Sequence, residues 1–564
     1  MGKLAGSDIF VFCIYFVIVA GYGYWIYRKR KSKEHDAKGF FLAEGSLTWW
    51  AIGASLIASN ISAEQFIGMS GNGYFAGIAI AAYEWIAAVS LIIIAIWFMP
   101  VYLKNKIFTM PQFLKTRYNE SVALIMAIFW LFLYVFVNLT SILYLGAGAI
   151  NTISSTSPAN SPGFEQSLHL IMIGLAIFSI IITLGGMKVI GYTDVIQVAV
   201  LIIGGLVTVY MALNKVSDGN GVVSGFNTVM KEAPDHFHMI LAKPASTSSQ
   251  EYINKYLILP GILMYIAGQW IANLNYWGCN QYITQRALGA DLKTARTGIL
   301  FAAFLKILMP VIVMLPGIAA YVLVKQGHIP ALAKQDDAYG SVLGFLPDGL
   351  KGLSIAALTA AIVASLAGKA NSISTIFTLD IYKKYINKDA GDKRMVWVGR
   401  AVVLISMIVA IAFTWEDLLG ISSEGGFTYI QKYTGYISPG VFAMFIMGMF
   451  WKRTTGTAAV VGLLTGFGLC IFFNEFAPQV FGNETWLYTA YPNGKDGYEI
   501  PFLIVMGISF VITVLLMIAI SLAGPKINPK AFALDKTMFR LQPVHIIMSV
   551  IVLLILSALY IKFW

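Results

Sequence analysis

Ala58-Ser59-Asn60-Ile61-Ser62-Ala63-Glu64-Gln65 is a polar knot between apolar flanks, with Gly68, Gly71 and Gly73 after it. A second knot reads Asn273-Leu274-Asn275-Tyr276-Trp277-Gly278-Cys279-Asn280-Gln281. Each interrupts a stretch otherwise long and apolar enough to cross a ~30 Å hydrocarbon layer as a helix. Backbone freed from helical pairing inside a bilayer persists only where it lines a cavity or meets other polar groups. The knots lie five helices apart, and a repeat of five, being odd, inserts its second copy upside down. Paired interrupted helices in two inverted halves are the pattern of a transporter with a midplane site.

Outside the knots, the chain is that of an all-α integral membrane protein. Its 564 residues are 58% hydrophobic and only 12% charged, about half the charge of a soluble domain. That excludes a cytosolic enzyme, and the long apolar runs exclude a β-barrel of ~10-residue alternating strands. About fourteen transmembrane helices are expected, with a 5+5 inverted-repeat core. The expected division is an extra helix and basic cytoplasmic loop (1–45), a first repeat (46–213), an external linker (214–255), a second repeat (256–451) and three further helices (452–564). Of the 39 Lys and Arg, 26 fall in one alternate set of loops and 11 in the other, with Lys306 and Lys369 inside spans. Basic loops are cytoplasmic, so both termini are placed outside a cell (inner or plasma) membrane. Arg28-Lys29-Arg30-Lys31 follows the first apolar segment with no cleavage site, so that segment is a span and not a signal peptide. Three cysteines inside apolar segments argue against a disulfide framework or a thiolate metal site. The basic residues sit in short loops, a poor arrangement for nucleic acid.

The polar residues at membrane depth are the candidates for chemistry. An ionised carboxylate at the bilayer centre costs at least ~2.5 kcal/mol, so Glu84, in Tyr83-Glu84-Trp85, should face a wet cavity or a partner. An interhelical hydrogen bond is the plainer alternative. Gln65 lies on the neighbouring helix. The aromatic–amide mixture of Asn273, Tyr276 and Trp277 suits a sugar, whose hydroxyls take hydrogen bonds from amides while a ring covers its apolar face. An interfacial aromatic belt is the alternative. Gln431 lies near the start of a core helix. The ninth helix, read as 345–384, supplies Ala361, Ala364, Ser365, Gly368, Lys369 and Ser372. Small residues at this density suit close helix packing, and a hydroxyl facing the freed carbonyls of a broken helix suits Na⁺, a hard cation that takes oxygen ligands.

Ser59-Asn60-Ile61-Ser62-Ala63-Glu64-Gln65-Phe66-Ile67-Gly68-Met69-Ser70, Tyr83-Glu84-Trp85, Thr193-Asp194-Val195-Ile196-Gln197, Tyr276-Trp277-Gly278, Asp380-Ile381-Tyr382 and Tyr429-Ile430-Gln431 resemble, in order and over nearly the whole chain, the solute:sodium symporter family, in particular its bacterial sodium/galactose branch. The resemblance implies a fold like that of the bacterial leucine transporter and Na⁺-driven hexose uptake by alternating access. Carried over by position, it makes Gln65, Glu84, Asn273 and Gln431 sugar hydrogen-bonders and Tyr276, with Trp277 beside it, a stacking gate. Met69, Tyr83 and Phe427 become an outer hydrophobic gate. The carbonyls of Ala58, Ile61 and Ala361 and the hydroxyl of Ser365 would hold Na⁺, and Asp194 would line its exit. The implied partners are a sugar, Na⁺ and the lipid bilayer. A polyol or another polar metabolite is the alternative substrate, and a cation leak or a sensor on a transporter scaffold the alternative class.

Three positions depart from the family pattern. Ala364 stands where a second serine is usual, Ala87 replaces a serine one turn past Glu84, and a lysine after Gln285-Arg286 is missing, with Lys293 the nearest substitute. Lys369 lies four residues after Ser365, on the same helix face. Its ammonium is placed either to stand in for Na⁺ and alter ion coupling, or to pair with Asp194, or to snorkel to the inner interface.

Overall fold

The first knot breaks its helix where the sequence predicts. A computed structural model describes residues 5–28, 47–62, 64–154, 161–184, 186–332, 334–415, 418, 426–494 and 497–564. Helix α1 (Gly6–Arg28) precedes α2 (Trp49–Asn60), which ends at an extended Ile61 (φ −79°, ψ 111°). A π-helical turn (Glu64–Met69) and a short helix (Ser70–Ala76) continue the chain. Gly77 then turns it with φ +74°, and a Cβ there would lie 2.4 Å from the His236 carbonyl oxygen. The expected basic loop after Arg28, and within the knot Ala63 and the Glu64 side chain, lie outside the described residues.

After α3 (Ala82–Ile93) and α4 (Gly186–Val216) the second knot departs from expectation. Asn273 to Cys279 are helical, inside α5 (Gly268–Cys279), and the breaks fall at its two ends. At Ala267 the chain bends by 82° from the preceding helical stretch, and at Asn280 it is extended (φ −84°, ψ 131°) before α6 (Gln281–Leu288). The two asparagines do not unwind α5 because their amide nitrogens find acceptors on the helix and on a neighbour. Asn273 Nδ2 donates to the Gln269 carbonyl at 3.0 Å, and Asn275 Nδ2 to the Ser438 hydroxyl at 3.0 Å.

Helices α7 (Leu292–Val313), α8 (Leu350–Thr375) and α9 (Gly426–Phe450) complete the frame of the site. Among the described spans helix α8 with its π-helical extension is the most enclosed: 89% of its apolar window is buried, against 22% for α1 and for Pro543–Phe563 at the periphery. It starts later than the expected 345, because Gly349 (φ +85°) turns the chain and Asp8 Oδ1 caps the new helix, accepting from the amides of Gly349 and Gly352 at 2.7 and 2.8 Å. A carboxylate at a helix N-terminus satisfies orphan amides and the positive end of the dipole. The stretch read as an external linker carries a helix of its own, Val222–Glu232. Among the described residues, twelve helices are long and apolar enough to span a membrane, or thirteen with the bent pair ending in α5. Fourteen are not reached by that measure, because α2 stops after 12 residues at its break and 65–104 runs on as one 40-residue stretch through the Gly77 turn.

Helices α2 and α7 cross at a pair of glycines. A Cβ on Gly53 would lie 2.8 Å from the Gly298 oxygen, and one on Gly298 2.8 Å from the Trp49 oxygen. From that crossing Asn60 lies seven residues along α2 and Lys306 eight along α7, about 10–12 Å in each case. The two side chains therefore arrive at the same depth.

Candidate functional site

That depth is the floor of a polar chamber. The Lys306 ammonium, from α7, pairs with Glu84 Oε2 of α3 and donates to Asn60 Oδ1 of α2. It lies 5.1 Å from the Trp277 ring centroid, and Asn60 Nδ2 donates to the Tyr276 hydroxyl at 3.0 Å. The described lining also includes Gln65, Tyr83, Asn273, Phe427, Gln431 and Lys369. All five expected sugar-contacting residues thus face one space. Trp277 is 2% exposed, which excludes a headgroup-level belt for it. A single buried ion would be several kcal/mol unfavourable, and a hydrogen-bonded pair offsets that.

Lys306 was overlooked as a site residue, although the signal was available. A lysine inside Phe301-Ala302-Ala303-Phe304-Leu305-Lys306-Ile307-Leu308 is a functional candidate by its depth alone. Lys293, the substitute suggested by sequence, is exposed at the start of α7 and is not among the chamber's lining residues.

A second group of oxygens lies deeper on α2. The Ser62 amide, which an unbroken helix would direct at the Ala58 carbonyl, donates instead to Gln65 Oε1 at 3.2 Å. The Gln65 amide turns to the Ser62 carbonyl at 3.1 Å in place of Ile61. The Ala58 and Ile61 carbonyls are thereby released from helical pairing. The Ser365 hydroxyl of α8 donates to the Ser59 carbonyl at 3.2 Å, and Ala361 lies one turn before it on the same face. Uncharged oxygens converging from two helices suit a hard cation. Lys369 reaches the same place, donating from Nζ to Ser365 Oγ at 3.1 Å with the Tyr282 ring 5.0 Å away.

Asp194, on α4, is buried with Oδ2 accepting from the Ser55 hydroxyl at 2.5 Å. Arg286 Nε of α6 donates to the same hydroxyl at 2.8 Å, and its Nη2 pairs with Asp194 Oδ2 at 3.8 Å. Its guanidinium also bonds the Tyr282 carbonyl. Among the described residues Asp194 Oδ1 has no hydrogen-bond partner. The expected alternative of a Lys369–Asp194 pair is therefore replaced by Arg286–Asp194, which ties α2, α4 and α6 together beneath the oxygen cluster.

On the other side of the chamber the Tyr83 and Phe427 rings meet edge to face, centroids 5.1 Å apart. Met69 is fully buried, but it is not among the chamber's lining residues. Gly68 admits this closure, since a Cβ there would lie 2.7 Å from both the Phe427 nitrogen and its Cβ. Overpacking of this kind costs about 1–3 kcal/mol. Gly68→Val is accordingly expected to hold Phe427 away from Tyr83 and cut substrate uptake about tenfold while leaving equilibrium binding in place. Uptake and binding measured side by side check this.

Two interrupted spans, a lined chamber and a neighbouring oxygen cluster are the frame of a coupled carrier, and the comparisons agree. The model of the Sodium:solute symporter family matches residues 40–466. The chain belongs to that family. It is 41% identical to the sodium/glucose cotransporter of Vibrio parahaemolyticus, over 100% of this chain and 99% of the relative. It is 34% identical to human sodium/myo-inositol cotransporter 2, over 82% of this chain and 69% of that protein. The structure of a Na⁺-coupled sialic acid symporter, bound to substrate and open outward, superposes with a TM-score of 0.75 at 20% identity, covering 93% of this chain and 99% of that one. The fold is therefore that of the Na⁺-coupled carriers with two inverted five-helix repeats, and Na⁺ is the coupling ion. In this sodium:solute symporter the chamber and the oxygen cluster share one short element: Ser59 meets Ser365 and Asn60 meets Lys306 on adjacent residues of α2.

Proposed function

We propose that this symporter imports a hexose, or a polyol of similar size, together with Na⁺ across the cell membrane. The observation that carries the reading is the chamber's composition. Among the described residues one carboxylate, the ammonium groups of Lys306 and Lys369, and amides that include those of Asn60, Gln65, Asn273 and Gln431 line the chamber with Tyr276 and Trp277. A ring with many hydroxyls needs that many donors and acceptors, and its C–H face needs an aromatic. Substrate hydroxyls replace the Asn60 and Glu84 bonds of Lys306, so the pair opens to admit the sugar. The Vibrio and human relatives named for glucose and myo-inositol support both substrate classes.

Na⁺, as cargo, is held by the carbonyls of Ala58, Ile61 and Ala361 and the hydroxyl of Ser365, and leaves past Asp194. Occupying the break in α2 fixes Asn60 and Gln65, so the ion orders the sugar site, and only such differential binding couples the two gradients. Met69, Tyr83 and Phe427 close the outer side, and Tyr276 with Trp277 the inner. Residues 46–213 and 256–451 form the two repeats, with both termini outside. Inward Na⁺ supplies about 2.3 kcal/mol per 100 mV and about 1.4 kcal/mol per tenfold concentration ratio.

Uptake into proteoliposomes over a panel of hexoses and polyols, with and without an imposed Na⁺ gradient, tests the proposal. Concentrative uptake of at least one panel member that collapses without the gradient is expected. Solute-independent Na⁺ flux, or no accumulation of any panel member, overturns it.

A further inference from the structure

We propose that Lys369 is a tethered cation that competes with Na⁺ for Ser365, so that Na⁺ binds only as the ammonium gives up that hydroxyl. The inference rests on the assignment of Ser365 to the sodium site. Lys369 is 2% exposed, and its Nζ points back along α8 to Ser365 Oγ, four residues earlier, at 3.1 Å. A lysine snorkelling to the interface extends the other way, toward water.

Na⁺ takes a hydroxyl oxygen at about 2.5 Å by analogy with other hard cations. With Nζ at 3.1 Å from the same atom, ion and ammonium would stand no more than about 5.6 Å apart, where two like charges in a protein interior repel strongly. A second cation crowds the same face. A Cβ on Gly368 would lie 2.6 Å from Arg286 Nη2 and 3.5 Å from Ser59 Oγ, which places the guanidinium against the next residue of α8. Ala364 supplies no hydroxyl that would strengthen the ion's hold. The Tyr282 ring, 5.0 Å from Nζ, offers the displaced ammonium a face to rest on. The carrier thus has a built-in counterpart of its own co-substrate, which occupies the hydroxyl of the empty ion site and lowers Na⁺ affinity.

Na⁺ titrations of the purified full-length carrier at constant ionic strength, followed by calorimetry or tryptophan fluorescence, test this with Lys369→Met, Lys369→Gln, Ser365→Ala and the combination of Lys369→Met with Ser365→Ala. Lys369→Met is expected to tighten Na⁺ at least tenfold (about 1.4 kcal/mol), with Lys369→Gln following it should the methionine variant fail to fold. Ser365→Ala should weaken Na⁺ in both backgrounds. Unchanged or weaker Na⁺ binding in the neutral Lys369 variants, with Ser365→Ala still weakening it, overturns the competition alone. Indifference of Na⁺ to Ser365→Ala in both backgrounds overturns the site assignment, and the competition with it.

Discussion

Lys306→Met is expected to abolish concentrative uptake, by about a hundredfold or more, and to destabilise the protein. The two effects have different causes. Removing one member of a buried ion pair leaves the other charged and unpaired, which costs about 3–5 kcal/mol. Glu84 would be that residue, 3% exposed within an otherwise apolar helix. Replacing both members by neutral groups of similar size is often neutral for stability, so Lys306→Met with Glu84→Gln should restore the unfolding transition in detergent. Uptake should not return, because the proposed sugar site would then lack both its only described carboxylate and the ammonium that reaches Asn60. Recovery of uptake in the double variant would make the pair a mere structural strut. An unfolding curve in which single and double variants coincide would contradict the pairing itself.

The second large effect is expected at the inner cluster. Asp194→Ala leaves Arg286, 1% exposed, with a guanidinium that keeps only the Ser55 hydroxyl and the Tyr282 carbonyl. The loss is again about 3–5 kcal/mol, visible as a lower melting temperature, and Arg286→Met added to Asp194→Ala should recover most of it. Transport should behave differently from stability. The cluster fastens α2, α4 and α6 below the oxygens proposed to hold sodium, so the double variant loses the fastening and should leak Na⁺ without sugar. A Na⁺ efflux assay on loaded liposomes reads this directly, and a double variant as tight as the parent would remove the cluster's role as a closure.

Much of this was legible in the residues. The break in α2 was, because Asn60, Ser62 and Gln65 put amide and hydroxyl groups where an apolar span has no use for them. The break after α5 was displaced by a few residues. Polar side chains in Asn273–Gln281 announce a lined cavity, but whether they unwind the backbone depends on their partners, and Gln269 and Ser438 are contributed from one turn back and from α9. The chamber's membership was carried by Glu84, Gln65, Asn273, Tyr276, Trp277 and Gln431. Its central cation was not, because Lys306 becomes compelling only once the glycine crossing of α2 and α7 fixes its depth opposite Glu84. The Asp194–Arg286 pair was hidden for a similar reason: its partners are 92 residues apart in sequence, and no spacing rule joins them. The capping of α8 by Asp8 joins residues still farther apart.

That cap has a consequence for watching the carrier at work. Helix α1 precedes the stretch proposed as the first repeat, yet its carboxylate is anchored to the head of the shaft that bears Ser365 and Lys369. Cys13, five residues on and exposed, therefore rides on whatever α8 does. A fluorophore or spin label there would report the tilt of that rod during turnover, from a thiol the chain already possesses and at a distance from both proposed cargo sites.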